Sequence, residues 1–146
     1  SIRTLRDVNT PLFERLKGAL PDVLRRRCQF VFEENQRVVA FMAAVVRDDR
    51  EAMRLLCEGS FFGERDLYEK TVPAMERMYE AMTGAPGVVA ARQSGGGFGG
   101  CMLAYVLADR VSEFAGQVRR QYKEKTGIEA TIHVTEPSAG AGALEA

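Results

Sequence analysis

The residues of this chain best suited to chemistry lie at 91–106, in the run ARQSGGGFGGCMLAYV. Six positions, Gly95, Gly96, Gly97, Phe98, Gly99 and Gly100, hold five glycines. Glycine loses more backbone freedom on folding than any other residue, so five of them just before an apolar run need a reason. Adjacent glycines let successive backbone N–H groups converge on one concavity. Such a nest binds anions, phosphate above all, and the missing side chains let the anion come close. A glycine-rich turn between two strands is the plain alternative, and the loop alone leaves both readings open.

Three named loops can be tested and set aside. Gly95, Gly97 and Gly100 satisfy Gly-x-Gly-x-x-Gly. A dinucleotide loop of that form opens a helix and places an acidic residue about 20 positions on. Here a strand-like run follows, and positions 119–121 read Arg-Arg-Gln. A Walker A loop ends in Gly-Lys-Ser/Thr, which Gly99-Gly100-Cys101 does not match. The accompanying motifs of a protein-kinase glycine loop are absent as well.

Other candidates read more plainly. His133, the single histidine, sits in TIHVT on the parity opposite Ile132 and Val134, and reads as a surface residue without a catalytic partner. Arg25, Arg26 and Arg27 read as a solvated helix face rather than an anion site. Met75, Met78 and Met82 read as core. Cys101 reads as a small apolar residue opening a strand, Phe98 as an anchor of the glycines to the core, and Asn35 as an interior hydrogen-bonded group.

Periodicity supplies the elements that must hold the loop. A short helix is expected over 10–18, with Thr10 as cap and Gly18 as stop. The strongest helical signal runs through 20–49. Its stripe is Leu24, Cys28, Val31, Asn35, Val38, Met42 and Val45, at three- and four-residue steps. Asp48 or Asp49 caps a further helix, in which Met53, Leu56 and Cys57 share a face. Another helix is expected after Thr71, its capping candidate, and ends in TGAPG. Strands are then expected at 88–92 and 101–108. A helix follows with Val111, Phe114, Val118 and Tyr122 on one face and Gly127 as stop. An alternating strand closes the order at 128–137, and the small-residue tail after it is expected to be loosely ordered. The fold class is therefore α+β, with helices on one face of a small antiparallel sheet.

The chain has 146 residues, enough for one domain whose core needs no disulfide or metal. Its 20 basic residues match its 20 acidic ones. That balance argues against a nucleic-acid binder or a stand-alone RNA module, since no basic surplus is available to neutralise phosphates. Cys28, Cys57 and Cys101 form no Cys-x-x-Cys or Cys/His cluster, so no metal site is expected and reduced thiols in a cytoplasmic protein are the simplest reading. No apolar run reaches membrane-spanning length. The opening SIRTLRDVNTP carries no signal-peptide pattern.

ARQSGGGFGGC also resembles the third conserved motif of the galactokinases, within the GHMP small-molecule kinase superfamily. The family form is close to Ala-Arg-Met-Thr-Gly-Gly-Gly-Phe-Gly-Gly-Cys. Gly95 through Cys101 match throughout, while Gln93 replaces Met and Ser94 replaces Thr. Further stretches agree in order. TLRDV at 4–8 resembles the opening of the family's C-terminal region. LRRRCQFVFEENQRV resembles its RRARHVxxENxRV helix, RDLYE at 65–69 resembles RDDYEVS, and PSAGA at 137–141 resembles its C-terminal end. The chain departs from the pattern at Ser60-Phe61, where the family often has Ser-His, and FFGERDLYEKTVP is only loosely similar.

The resemblance implies a GHMP-kinase C-terminal domain over 1–146, cut from a longer protein. Its partners would be its own N-terminal domain, a small-molecule sugar and ATP, with no nucleic acid or membrane. The implied reaction moves the γ-phosphoryl group of ATP to the anomeric hydroxyl of galactose or a related sugar, with Mg2+ as cofactor. The catalytic residue and the metal ligands are expected in the missing N-terminal domain, so the chain alone would be inactive. Its own contribution would be a phosphate-proximal loop of Ser94, Gly95, Gly96, Gly97, Phe98, Gly99 and Gly100. The alternative is a non-catalytic sensor of sugar and ATP built on the same plan.

Overall fold

A computed structural model describes residues 2–138 and 140. The helices start and stop where local chemistry dictates. Helix α1 is Thr10–Leu16, and its cap is Asn9, not Thr10: the Asn9 side chain accepts from the Leu12 N–H at 2.9 Å. A 3-10 turn, Lys17–Ala19, carries the chain past Gly18 into α2, Asp22–Val46. Asp49 caps α3, Arg50–Phe62, by accepting from Ala52 N–H at 3.0 Å.

A π-helical stretch, Gly63–Tyr68, continues from α3 without a break. A Cβ at Gly63 would lie 2.9 Å from Nη2 of Arg37 and 3.0 Å from the Phe30 ring, so α2 and this stretch approach as closely as they do only over a glycine. Helix α4, Pro73–Thr83, begins after Val72, and Thr71 does not cap it. The Thr71 hydroxyl donates instead to Glu76 at 2.9 Å.

Strands β1, Val88–Ser94, and β2, Cys101–Val106, form an antiparallel hairpin in which Ser94 pairs with Cys101. Helix α5, Val111–Thr126, follows a 3-10 turn and ends at Gly127, whose φ of 73° completes a left-handed cap. The expected buried face of α5 is present in Phe114, Val118 and Tyr122.

The α+β class holds, with two strands among the described residues. Residues 128–137 form no ladder, although Ala130 and Ile132 do pack on the core. The alternation marks the inward side only at those two positions, since Ile128 and Val134 of the same parity are exposed. It does not supply a partner edge: among the described residues, β1 and β2 pair only with each other. Of the tail, positions 139 and 141–146 lie outside the described residues.

Adjacent residues of β1 enter two cores. Ala91 joins Phe61, Tyr79, Met82, Phe114, Val118 and Tyr122, where the Phe61 and Tyr79 rings stack with centroids 3.7 Å apart. Ala90 joins Ala44, Met53 and Cys57. Helices α4 and α5 thus cover one face of the hairpin, and packing from α2 and α3 continues onto the other. The methionine expectation holds: Met75 and Met82 are buried and Met78 packs beside them.

Helix α2 differs most from the pattern. Its inward line is Phe30, Arg37, Phe41 and Ala44. The periodic stripe points away: Leu24, Val38, Met42 and Val45 are exposed, and so is Asn35. Asn35 is not an interior group. The helix is apolar on two sides, and periodicity alone does not say which side this chain's own core takes. No helix of the described residues is long and apolar enough to cross a membrane.

Candidate active-site loop

The register places residues 95–100 as the loop of the β1–β2 hairpin. Gly95, Gly97, Gly99 and Gly100 have φ of 96°, 98°, 132° and 94°, and Phe98 joins them at 59°. Glycine tolerates such values; a phenylalanine there is strained by about 1–3 kcal/mol and must be held by its surroundings. The Phe98 N–H is held by the Lys70 carbonyl at 2.8 Å. Phe98 itself, however, is 73% exposed, so it does not anchor the glycines to the core. The backbone does that instead.

Three consecutive N–H groups face the protein. Gly99 donates to the Met75 sulfur at 3.2 Å, and Phe98 to Lys70. Gly97 donates to Oε1 of Gln93 at 2.6 Å when the amide is oriented to satisfy both of its ends. The Nε2 end of that amide donates to Oε2 of Glu64 at 2.7 Å. A Cβ on Gly97 would sit 2.7 Å from the Lys70 carbonyl and 2.8 Å from its Cβ, so Gly97 is glycine by contact as well as by φ.

Gly95 and Gly96 differ. Both are exposed, a Cβ on either would meet nothing within 4 Å, and their N–H groups take no partner among the described residues. The loop therefore has an inner edge bound to its own chain and an outer edge with two free donors and open space. Only the outer edge has the character of an anion nest.

Beneath the loop lies a charged network that links four elements. Glu34 of α2 accepts from Ser60 of α3 at 2.7 Å, from Nε of Arg37 at 2.9 Å and from Arg92 of β1 at 3.4 Å. Glu64, on the π-helical stretch, is 3% exposed and pairs with Nζ of Lys70 at 3.2 Å. Burial pushes its carboxyl above the usual range, and Lys70 and Arg92 oppose that shift. Burial likewise raises the Cys57 thiol and pushes the Tyr79 hydroxyl up to about 12.

Arg26 and Arg27 are not a solvated face. Both reach Glu69, Arg26 also donates to the Asp66 carbonyl at 3.2 Å, and Arg27 donates to the Leu67 carbonyl. Those hydrogen bonds, from Arg27 first, hold the Glu69 carboxyl below its ordinary range. Glu69 itself has a φ of 60°, and this turn presents Lys70 to the loop.

Ser94 and Gly95 border an open hollow of about 350 Å³ whose wall includes Arg92, Arg37, Phe41 and Tyr105. A second hollow, about 410 Å³, lies among α3, α4 and β1 and does not reach the loop. His133 is exposed, as expected, and Cys101 opens β2 from an exposed position. The described residues hold no group of three or more His, Cys, Asp or Glu able to bind a metal ion.

Residues 41–124, which hold α3, the loop and most of α5, match the family model described as GHMP kinases C terminal. The chain belongs to that family. Its fold is also similar to that of galactokinase from Lactococcus lactis, solved in complex with galactose, with a TM-score of 0.81 and 29% sequence identity. That similarity covers 90% of this chain and 34% of the galactokinase chain, so this chain spans about a third of the length of that relative. Within the GHMP C-terminal fold, the loop motif and the hairpin that carries it were legible in sequence. The residues that brace the loop, Glu34, Arg37, Glu64, Lys70 and Glu69, were not singled out. The sequence signals for them were the positions of Glu34 and Arg37 within the ENxRV-like helix and of Glu69 at the end of the RDLYE match.

Proposed function

We propose that this chain is the C-terminal part of an ATP-dependent sugar 1-kinase, with residues 94–100 beside the transferring phosphoryl group. The sugar is galactose or a close relative. The anomeric oxygen forms a bond to the γ-phosphorus, the bond to the departing ADP oxygen breaks, and the hydroxyl proton passes to a base. That base and the side chains that hold Mg2+ belong to the N-terminal domain in this reading. Bound Mg2+ would supply charge neutralisation on the phosphates. Galactose as substrate and the cytoplasm as the place of action rest on the same relationship.

The observation that carries the proposal is the division of the glycine loop. Phosphoryl transfer depends mainly on positioning and charge stabilisation. An inner edge tied down at Gly97, Phe98 and Gly99 fixes the outer edge, where Gly95 and Gly96 have free N–H groups and no neighbour to block a phosphate. Donors fixed in advance stabilise developing charge without reorganising during the reaction.

A coupled ADP-release assay of the full-length protein over a sugar panel tests the reading. Sugar-dependent ADP release is the expected result and excludes a purely sensing role. Tight binding of sugar and ATP without ADP release from any sugar would establish the sensor instead.

A further inference from the structure

Gln93 stands where the resembled motif carries methionine, and the stretch holding Glu64 and Lys70 is only loosely similar to its counterpart. These departures meet in space. Gln93 is 2% exposed and Glu64 3%, and the Lys70 side chain is 13% exposed. Lys70 Nζ occupies Oε1 of Glu64 at 3.2 Å, with Arg92 Nη2 at 4.0 Å from the same oxygen. Oε2 is left for Gln93. A carboxylate only accepts hydrogen bonds, so the Gln93 amide must turn its NH2 group toward it. The amide oxygen then faces the Gly97 N–H at 2.6 Å. On the other side of the same lysine, its backbone carbonyl takes the next N–H, that of Phe98.

We propose that Glu64, held by Lys70, sets the orientation of the Gln93 amide and through it fixes the inner edge of the glycine loop. Glu64 and Gln93 are positioning residues. They touch no substrate and act through the Gly97 N–H on the outer donors at Gly95 and Gly96. The catalytic consequence rests on the sugar-kinase reading; the clamp itself does not.

The test uses the full-length protein with Gln93→Met, Glu64→Leu and Glu64→Gln, read by amide hydrogen exchange across 95–100 and by kcat and KM. Gln93→Met and Glu64→Leu are expected to speed exchange at Gly97 and Phe98 by about tenfold and to lower kcat by about tenfold, with the sugar KM unchanged. Glu64→Gln keeps an acceptor oxygen for Gln93 and is expected to stay closer to wild type than Glu64→Leu in both readouts. Where Glu64→Leu fails to fold, the other two variants carry the test. Wild-type exchange in Gln93→Met would overturn the clamp. A loosened loop with unchanged kcat would overturn the positioning role. A wild-type protein without sugar-dependent turnover would sink the kinase reading instead, leaving exchange to decide the clamp.

Discussion

Gly96 and Gly97 are neighbours under opposite constraints. A side chain at Gly97 collides with Lys70 and requires a positive φ; one at Gly96 does neither. Gly97→Ala is therefore expected to cost about 1–3 kcal/mol in chemical denaturation and to detach the loop. Lys70 carries a different test. Its ammonium offsets the burial of Glu64, whose carboxyl is already raised above the ordinary 4.5. A group raised in the native state contributes most to stability below its unfolded value, and that contribution is lost as pH rises through the native value. Lys70→Met removes the offset and raises the native value further. The variant is expected to be destabilised at pH 7 by about 3 kcal/mol, with the deficit shrinking as pH falls toward 4.5. A deficit independent of pH across that range, measured by urea unfolding, would show that Glu64 is not the group left uncompensated.

At the scale of elements, the loop is held by the turn after the π-helical stretch as much as by its own hairpin. Arg26 and Arg27 reach from α2 to the Asp66 and Leu67 carbonyls and to Glu69, and so set where Lys70 stands. Arg27→Met should loosen residues 66–70 and then the loop. About 1 kcal/mol of stability is expected to be lost, with faster amide exchange confined to those two segments. The Asp49 cap, the Gly127 stop and the hairpin were legible in sequence because each rests on local chemistry: Asp49 before Ala52, Gly127 in the left-handed region, apolar runs flanking the glycines. The caps expected at Thr10 and Thr71 were not found, because Asn9 takes the first and the Thr71 hydroxyl turns to Glu76. Arg26 and Arg27 were not legible. Their charge suggests solvent, and only the tertiary approach of the 66–69 turn supplies partners some 40 residues away. The alternating run at 128–137 failed as a strand for a related reason: side-chain parity is local, but a ladder requires an edge.

At the scale of the whole molecule, α2 leaves Val38, Val39, Met42, Val45 and Val46 exposed along one side. In the proposed kinase an N-terminal domain is expected to cover that side, since a contiguous exposed apolar face marks an interaction surface. Met42→Glu is expected to leave this chain folded on its own while making the full-length protein cleave faster between its domains under limited proteolysis. Unchanged cleavage would place the domain contact elsewhere. Phosphoryl transfer at the outer edge of the glycine loop is the central claim, and Gly96→Val tests it most directly. The added side chain meets open space and needs no unusual φ, so thermal stability should stay within about 0.5 kcal/mol of wild type. Sugar-dependent ADP release by the full-length variant is expected to fall at least about a hundredfold, because the side chain fills the space through which a phosphate reaches the Gly95 and Gly96 N–H groups and so denies the transition state those donors. A stable Gly96→Val protein that turns over sugar at the wild-type rate would contradict the account.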